Sequence, residues 1–172
     1  MHLIIGIVLF MVFSASMANP VVSTTLCENF ETVRFSCKIK GSQKIVSVCS
    51  SAKLTSKDGY IQYRFGKSRG IELEFPASKL QTQQYFTWLW QHPYHGFIKE
   101  LSFTSGPYVY TVFSYEMGSQ NDDDSDEGTE TYGVRIRKKG ASAMEYKEFS
   151  CIAPPSGIFD DFFDILPSKD HE

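Results

Sequence analysis

Apolar and polar positions alternate most clearly between Val33 and Pro76, and the period is two. Val33, Phe35, Cys37 and Ile39 share one face, with Arg34, Ser36, Lys38 and Lys40 on the other, as in a strand with one buried side. Gly41-Ser42 turns the chain, and Ile45 to Ser50 returns with Val46 and Val48 inward. Beyond the polar connection Lys53 to Lys57, Ile61, Tyr63 and Phe65 alternate with Tyr60, Gln62 and Arg64. The glycine-bounded loop Gly66 to Gly70 then leads into Ile71, Leu73 and Phe75, separated by Glu72 and Glu74. Pro76 has no N–H to donate and ends that strand. This stretch predicts four strands of a β-meander.

The rhythm continues less regularly. Gln83 to Trp90 reads as a strand with Phe86, Trp88 and Trp90 on one side, followed by the loop Gln91 to Gly96. Phe97 to Thr104, a turn at Ser105-Gly106 and the tyrosine-rich Tyr108 to Met117 follow. After the acidic stretch Gly118 to Thr129, Thr131 to Lys138 places Tyr132, Val134 and Ile136 in and Arg135 and Arg137 out, and Met144 to Cys151 is the last strand. Eight or nine strands at hairpin spacing with no crossover helix predict an all-β fold, an antiparallel meander forming a barrel or a sandwich. Beyond Pro154-Pro155, Phe159, Phe162, Phe163 and Leu166 recur at helical spacing among aspartates. That pattern predicts a short amphipathic C-terminal segment docked on an open end of the sheet structure.

Composition changes this picture chiefly through compartment. Leu3 to Phe13 is an apolar run far shorter than the roughly 20 residues of a membrane-spanning helix, and small residues at Ser16 and Ala18 follow it. A signal peptide over residues 1–18 is expected, then a single β domain over 19–153 and an acidic, aromatic tail over 154–172. The mature chain would be exported, periplasmic or secreted, and would not span the membrane. Cys27, Cys37, Cys49 and Cys151 are even in number and predict two disulfides in an oxidising compartment. Three pairings are possible. A two-residue turn at Gly41-Ser42 would set Cys37 opposite Val46 and Cys49 opposite Arg34, on opposite faces, which disfavours a direct Cys37–Cys49 bond; a three-residue loop would revive it. The net charge of −3 divides into +6 over residues 19–99 and −9 over 100–172. The two halves complement each other on one molecule, and nothing in this balance points to nucleic acid as a partner.

The succession FSC, SVC, GYIQYRFG, IELEFP and ELSFTSGPYVYTV, from about Cys27 to Cys151, resembles a group of small uncharacterised exported bacterial proteins that share the paired early cysteines, the YRFG turn and a late cysteine. The resemblance implies an exported bacterial protein. It implies no activity and carries over no functional residue.

Candidate chemistry is sparse. Trp88, Trp90, His92, Tyr94 and His95 lie within eight residues, and aromatics with polar edges suit flat or sugar-like ligands and protein partners. The competing reading is that the two tryptophans cap the core while the histidines solvate its rim. His92 and His95 lack a third ligand in sequence and Pro93 prevents their helical alignment, so no metal site is expected. There is no G-x-S-x-G elbow, no phosphate-cradling loop and no motif calling for a cofactor. Asp122, Asp124 and Asp126 resemble a calcium loop, but Gly128 falls one position late and Gly133 stands where the closing glutamate belongs. The expected function is a non-enzymatic exported binding module of the envelope or inhibitor type with a protein partner. The alternatives are a hydrolase using His92 or His95 as general base with Glu100 or Asp58, and a structural envelope component.

Overall fold

The computed structural model describes residues 24–118, 128–157, 159 and 162–168. The expected signal peptide and the acidic Asp122–Asp126 stretch lie outside the described residues. Nine strands form: β1 (Glu31–Lys38), β2 (Ile45–Ser51), β3 (Ile61–Lys67), β4 (Gly70–Phe75), β5 (Phe86–Gln91), β6 (Gly96–Ser105), β7 (Tyr108–Met117), β8 (Thr129–Lys138) and β9 (Tyr146–Ser150). They pair antiparallel in sequence order as two open sheets, β1–β4 and β5–β9, so the meander folds as a sandwich and not as a closed barrel. A 3-10 turn at Thr82–Tyr85 leads from the first sheet into β5.

The inner faces are those the alternation marks, except that Val33, expected inward with Phe35, pairs with Cys49 on the outer face. Phe35, Val46, Val48, Ile61 and Tyr63 of the first sheet meet Phe86, Trp88, Leu101, Phe103, Val112 and Val134 of the second. Tyr63 touches Phe103 of β6 and Tyr110 of β7 at ring distances of 4.9 and 6.0 Å, while Phe65, two residues on, reaches Phe149 of β9 at 6.2 Å. Strand β3 therefore runs across the second sheet. Gly66 sits at a register shift in β3 with φ 152°, where a Cβ would lie 2.4 Å from the Gly70 carbonyl, so the bulge before the Ser68-Arg69 turn needs glycine.

Cys37 faces Val46, as a turn centred on Gly41-Ser42 requires. Cys49, however, faces Val33 and not Arg34, because a bulge at Arg34 inserts one residue into β1. The two cysteines stay on opposite faces and find other partners. Cys27–Cys49 ties the N-terminal arm to the outer face of the first sheet, and Cys37–Cys151 ties β1 to the end of β9.

That outer face is not solvated, which corrects the reading of Arg34, Gln62 and Arg64 as outward polar positions. All three are buried: the arm from Thr24 to Phe30 crosses over Gln62 and Arg64, while Arg34 donates to Ser50 Oγ at 2.8 Å and lies 5.9 Å from the Phe162 ring of the tail. Arg64 has five N–H donors and finds five oxygens. Nη1 donates to Glu31 Oε2 at 2.6 Å and to the Leu26 carbonyl at 2.9 Å. Nη2 donates to Glu31 Oε1 at 2.9 Å and to Gln62 Oε1 at 2.5 Å, and Nε donates to Glu74 Oε2 at 3.1 Å. Glu31 also accepts from the Glu28 N–H, the Tyr60 hydroxyl and Lys79. Burial by itself would raise the Glu31 carboxyl; these hydrogen bonds outweigh it and hold the group down at about 2.

The tail closes the other opening. Ser156 bridges Ser36 of β1 and Ser168 bridges Trp88 of β5, so the segment runs from one sheet's edge to the other's. Between them Phe159, Phe162 and Leu166 enter the core, and a single helical turn bonds Leu166 N–H to the Phe162 carbonyl at 3.0 Å. The i, i+3, i+7 spacing is thus used for docking in cis.

Phe162→Ala should lower unfolding free energy by about 3–5 kcal/mol in chemical denaturation, the cost of a fully buried aromatic; a loss under about 1 kcal/mol would contradict the docked tail. The low Glu31 value sets an acid limb. Its contribution to stability is complete above the unfolded carboxyl value near 4.5 and is lost as pH falls toward about 2. In Glu31→Gln, stability should therefore change less with pH across that window; an unchanged slope would show that the carboxylate is not held by Arg64.

Candidate functional site

Period two along β5 puts Trp88 and Trp90 on one face, but the tail treats them differently. Trp88 is 3% exposed, packed between Phe159 and Phe162 with ring centroids at 5.1 and 5.2 Å. Trp90 is 39% exposed where that cover runs out. Of the five aromatic-loop candidates, the structure places Trp88 in the core and leaves Trp90, His92, Tyr94 and His95 at the surface.

Two residues from outside the loop join them. Phe97 of β6 lies 4.6 Å from the His92 ring and 6.3 Å from Trp90, and Phe163 of the tail stacks edge-on to Trp90 at 5.2 Å. Phe163 is 54% exposed, while its neighbour Phe162 is fully buried. The result is a continuous exposed aromatic patch at the edge of the second sheet, built from strand, loop and tail. The loop's shape is set by its backbone. Gly96 N–H donates to the Pro93 carbonyl, and His95 takes φ 63°, a left-handed turn conformation that histidine tolerates better than most side chains. Gly96 itself lies so close to β7 that a Cβ would be 2.4 Å from the Glu116 carbonyl.

Beside the patch is a cleft of about 750 Å³ lined by His92, Tyr94, His95, Phe97, Glu116 and Glu130 among others. It gathers imidazoles and carboxylates, but among the described residues no hydrogen bond joins either histidine to a carboxylate. The two carboxylates considered as partners for a histidine base lie elsewhere. Glu100 accepts from the Tyr115 hydroxyl on the outer face of the second sheet, and Asp58 lies in the β2–β3 connection, where its carbonyl accepts from Gln83. Among the described residues Cys27, Cys49 and Glu31 bring metal-type ligand atoms together, but the sulfurs form a disulfide and the carboxylate is committed to Arg64.

Phe97 and Phe163 escape a reading based on the loop alone. Phe163, grouped by the sequence with Phe159, Phe162 and Leu166 as one docking series, is instead 54% exposed and meets Trp90. Comparison with protein-family models, with curated proteins and with solved structures returned no match. Among the described residues no helix is long and apolar enough to cross a membrane.

The chain has two tryptophans, one on each side of this boundary. Iodide should quench the fluorescence of Trp88→Phe, which retains the exposed indole, and leave that of Trp90→Phe nearly unaffected. Equal quenching of the two variants would contradict the placement of the patch.

Proposed function

We propose that the protein is an exported, non-enzymatic binding module that captures an envelope or secreted protein through the aromatic patch around Trp90. The observation that carries this reading is the contiguity of Trp90, His92, Phe97 and Phe163 at the surface, with Tyr94, 88% exposed, on the adjoining cleft. Large aromatics at the centre of an exposed patch are the composition of interface anchors, and a soluble protein rarely leaves such a group uncovered without a use for it. The anchors are also held firmly: Trp90 and Phe97 sit on paired strands and Phe163 on a tail fixed by buried neighbours. Export is supported by the two disulfides, which suit an oxidising compartment, and by the apolar N-terminal run.

The hydrolase reading rests on the histidines and carboxylates that share the neighbouring cleft. General-base catalysis needs an oriented imidazole, and the lack of a carboxylate hydrogen bond to either ring weighs against it.

The test is a pull-down of disulfide-intact protein from envelope extract beside Trp90→Ala and Phe163→Ala. A partner retained by the parent, but reduced about tenfold or more by either aromatic truncation, is the expected result. Retention unchanged in both aromatic variants would remove the patch from the function and favour a structural envelope role through another surface.

A further inference from the structure

The outer face of the second sheet carries a polar trough, away from the aromatic patch. Strand register lines up outward side chains from consecutive strands in two rows. One is Thr87, Ser102, Thr111, Arg135 and Glu148; the other is Thr104, Val109, Arg137 and Tyr146. All of these except Glu148 floor a trough of about 600 Å³, with Tyr85 at the β5 end and Tyr146 at the β9 end. Four interstrand gaps separate these ends, about 19 Å in all.

The trough's polar groups are positioned before any ligand arrives. Arg135 donates from Nε to Glu148 at 2.8 Å and from Nη1 to the Tyr115 hydroxyl at 2.6 Å, and its guanidinium lies 4.5 Å from the centre of the buried Phe113 ring and 4.9 Å from that of Tyr146. Burial, and then the Glu100 carboxylate beside it, pushes the Tyr115 phenol above its ordinary range, so it stays protonated and donates to Glu100. The Ser102 and Thr111 hydroxyls lie 3.0 Å apart. Arg137 is the exception to this internal pairing. Its guanidinium bonds only to the Ala141 carbonyl and has no carboxylate partner among the described residues.

We infer that this trough binds a short acidic oligosaccharide, with uronate-type carboxylates meeting Arg137 and sugar rings resting on Tyr85 and Tyr146. Four hydroxyls, the amide of Gln84 and the Glu100 carboxylate supply both donors and acceptors, as a sugar's hydroxyls require. The terminal tyrosines, 49% and 44% exposed, offer flat apolar faces at a separation that a single monosaccharide or nucleobase would not span. Arg135 is matched by Glu148, so the positive charge open to a ligand is that of Arg137, which has no carboxylate partner among the described residues and whose fork matches a carboxylate. A phosphate ligand fits less well, because the floor is strand whose amides are committed to the ladder and no glycine nest adds free N–H groups.

The test is an amide-shift titration of isotope-labelled, disulfide-intact protein by nuclear magnetic resonance, with tetragalacturonate and, in parallel, the neutral cellotetraose. Saturable shifts at Thr87, Ser102, Thr111 and Arg137 with the acidic tetramer are expected, with binding at least about tenfold weaker for the neutral one. Arg137→Gln should weaken acidic binding by a similar factor. Tyr146→Ala should weaken both sugars, and Trp90→Ala should change neither, which separates this site from the aromatic patch. No saturable shifts with either sugar, equal affinity for both, shifts centred on the Trp90 loop, or full binding by Arg137→Gln would each overturn the inference.

Discussion

The forked pair between Arg64 and Glu31 is the interaction on which the first sheet depends. A four-stranded sheet packed on one side ordinarily leaves its other face to water, but here the arm before β1 is drawn across it and buries a guanidinium. A buried cation costs several kcal/mol unless its donors are met, and the five oxygens around Arg64 meet them. Two of those oxygens belong to one carboxylate at the start of β1, one to the arm's own backbone. The arm is therefore part of the solvation of Arg64, and the Cys27–Cys49 bond fixes it there.

With that face covered, the exposed aromatic patch and the polar trough both lie on the second sheet's side of the molecule. Two open sheets have four edges, and three devices handle them. The tail spans β1 and β5 through Ser36 and Trp88; Ile39 bridges Cys151 beyond β9; and β4 carries Glu72 and Glu74, charges that discourage pairing with another chain. Where the tail leaves β5, Trp90 and Phe163 emerge together, so edge closure by the tail also sets the position of the aromatic patch. The polar trough lies on the face that neither arm nor tail reaches.

The alternation of single residues revealed the strands and which apolar side chains turn inward, since that information is local: Val46, Val48, Ile61, Tyr63 and Val134 all face the core as their period demands. The same alternation misread Gln62 and Arg64, because period two reports two faces and cannot say that a non-periodic arm covers the second. One inserted residue at Arg34 moved the partner of Cys49 by one position, and bulges leave no mark in hydropathy. The candidate site was half legible. The loop's aromatics were plain in the chain, but Trp88 and Trp90 look alike in sequence and are separated only by where Phe159 and Phe162 dock. The trough was illegible, because Thr87, Ser102, Thr111 and Arg135 become neighbours only through the register of three hairpins.

The most direct test of the account is a double-mutant cycle between Glu31 and Arg64, using Glu31→Gln and Arg64→Met and reading unfolding free energy at neutral pH. Each single change should cost about 3–5 kcal/mol by leaving a buried group unpaired, and the double should cost well below their sum, with coupling of about 2–3 kcal/mol. Additive losses would contradict the claim that this pair holds the arm over the sheet.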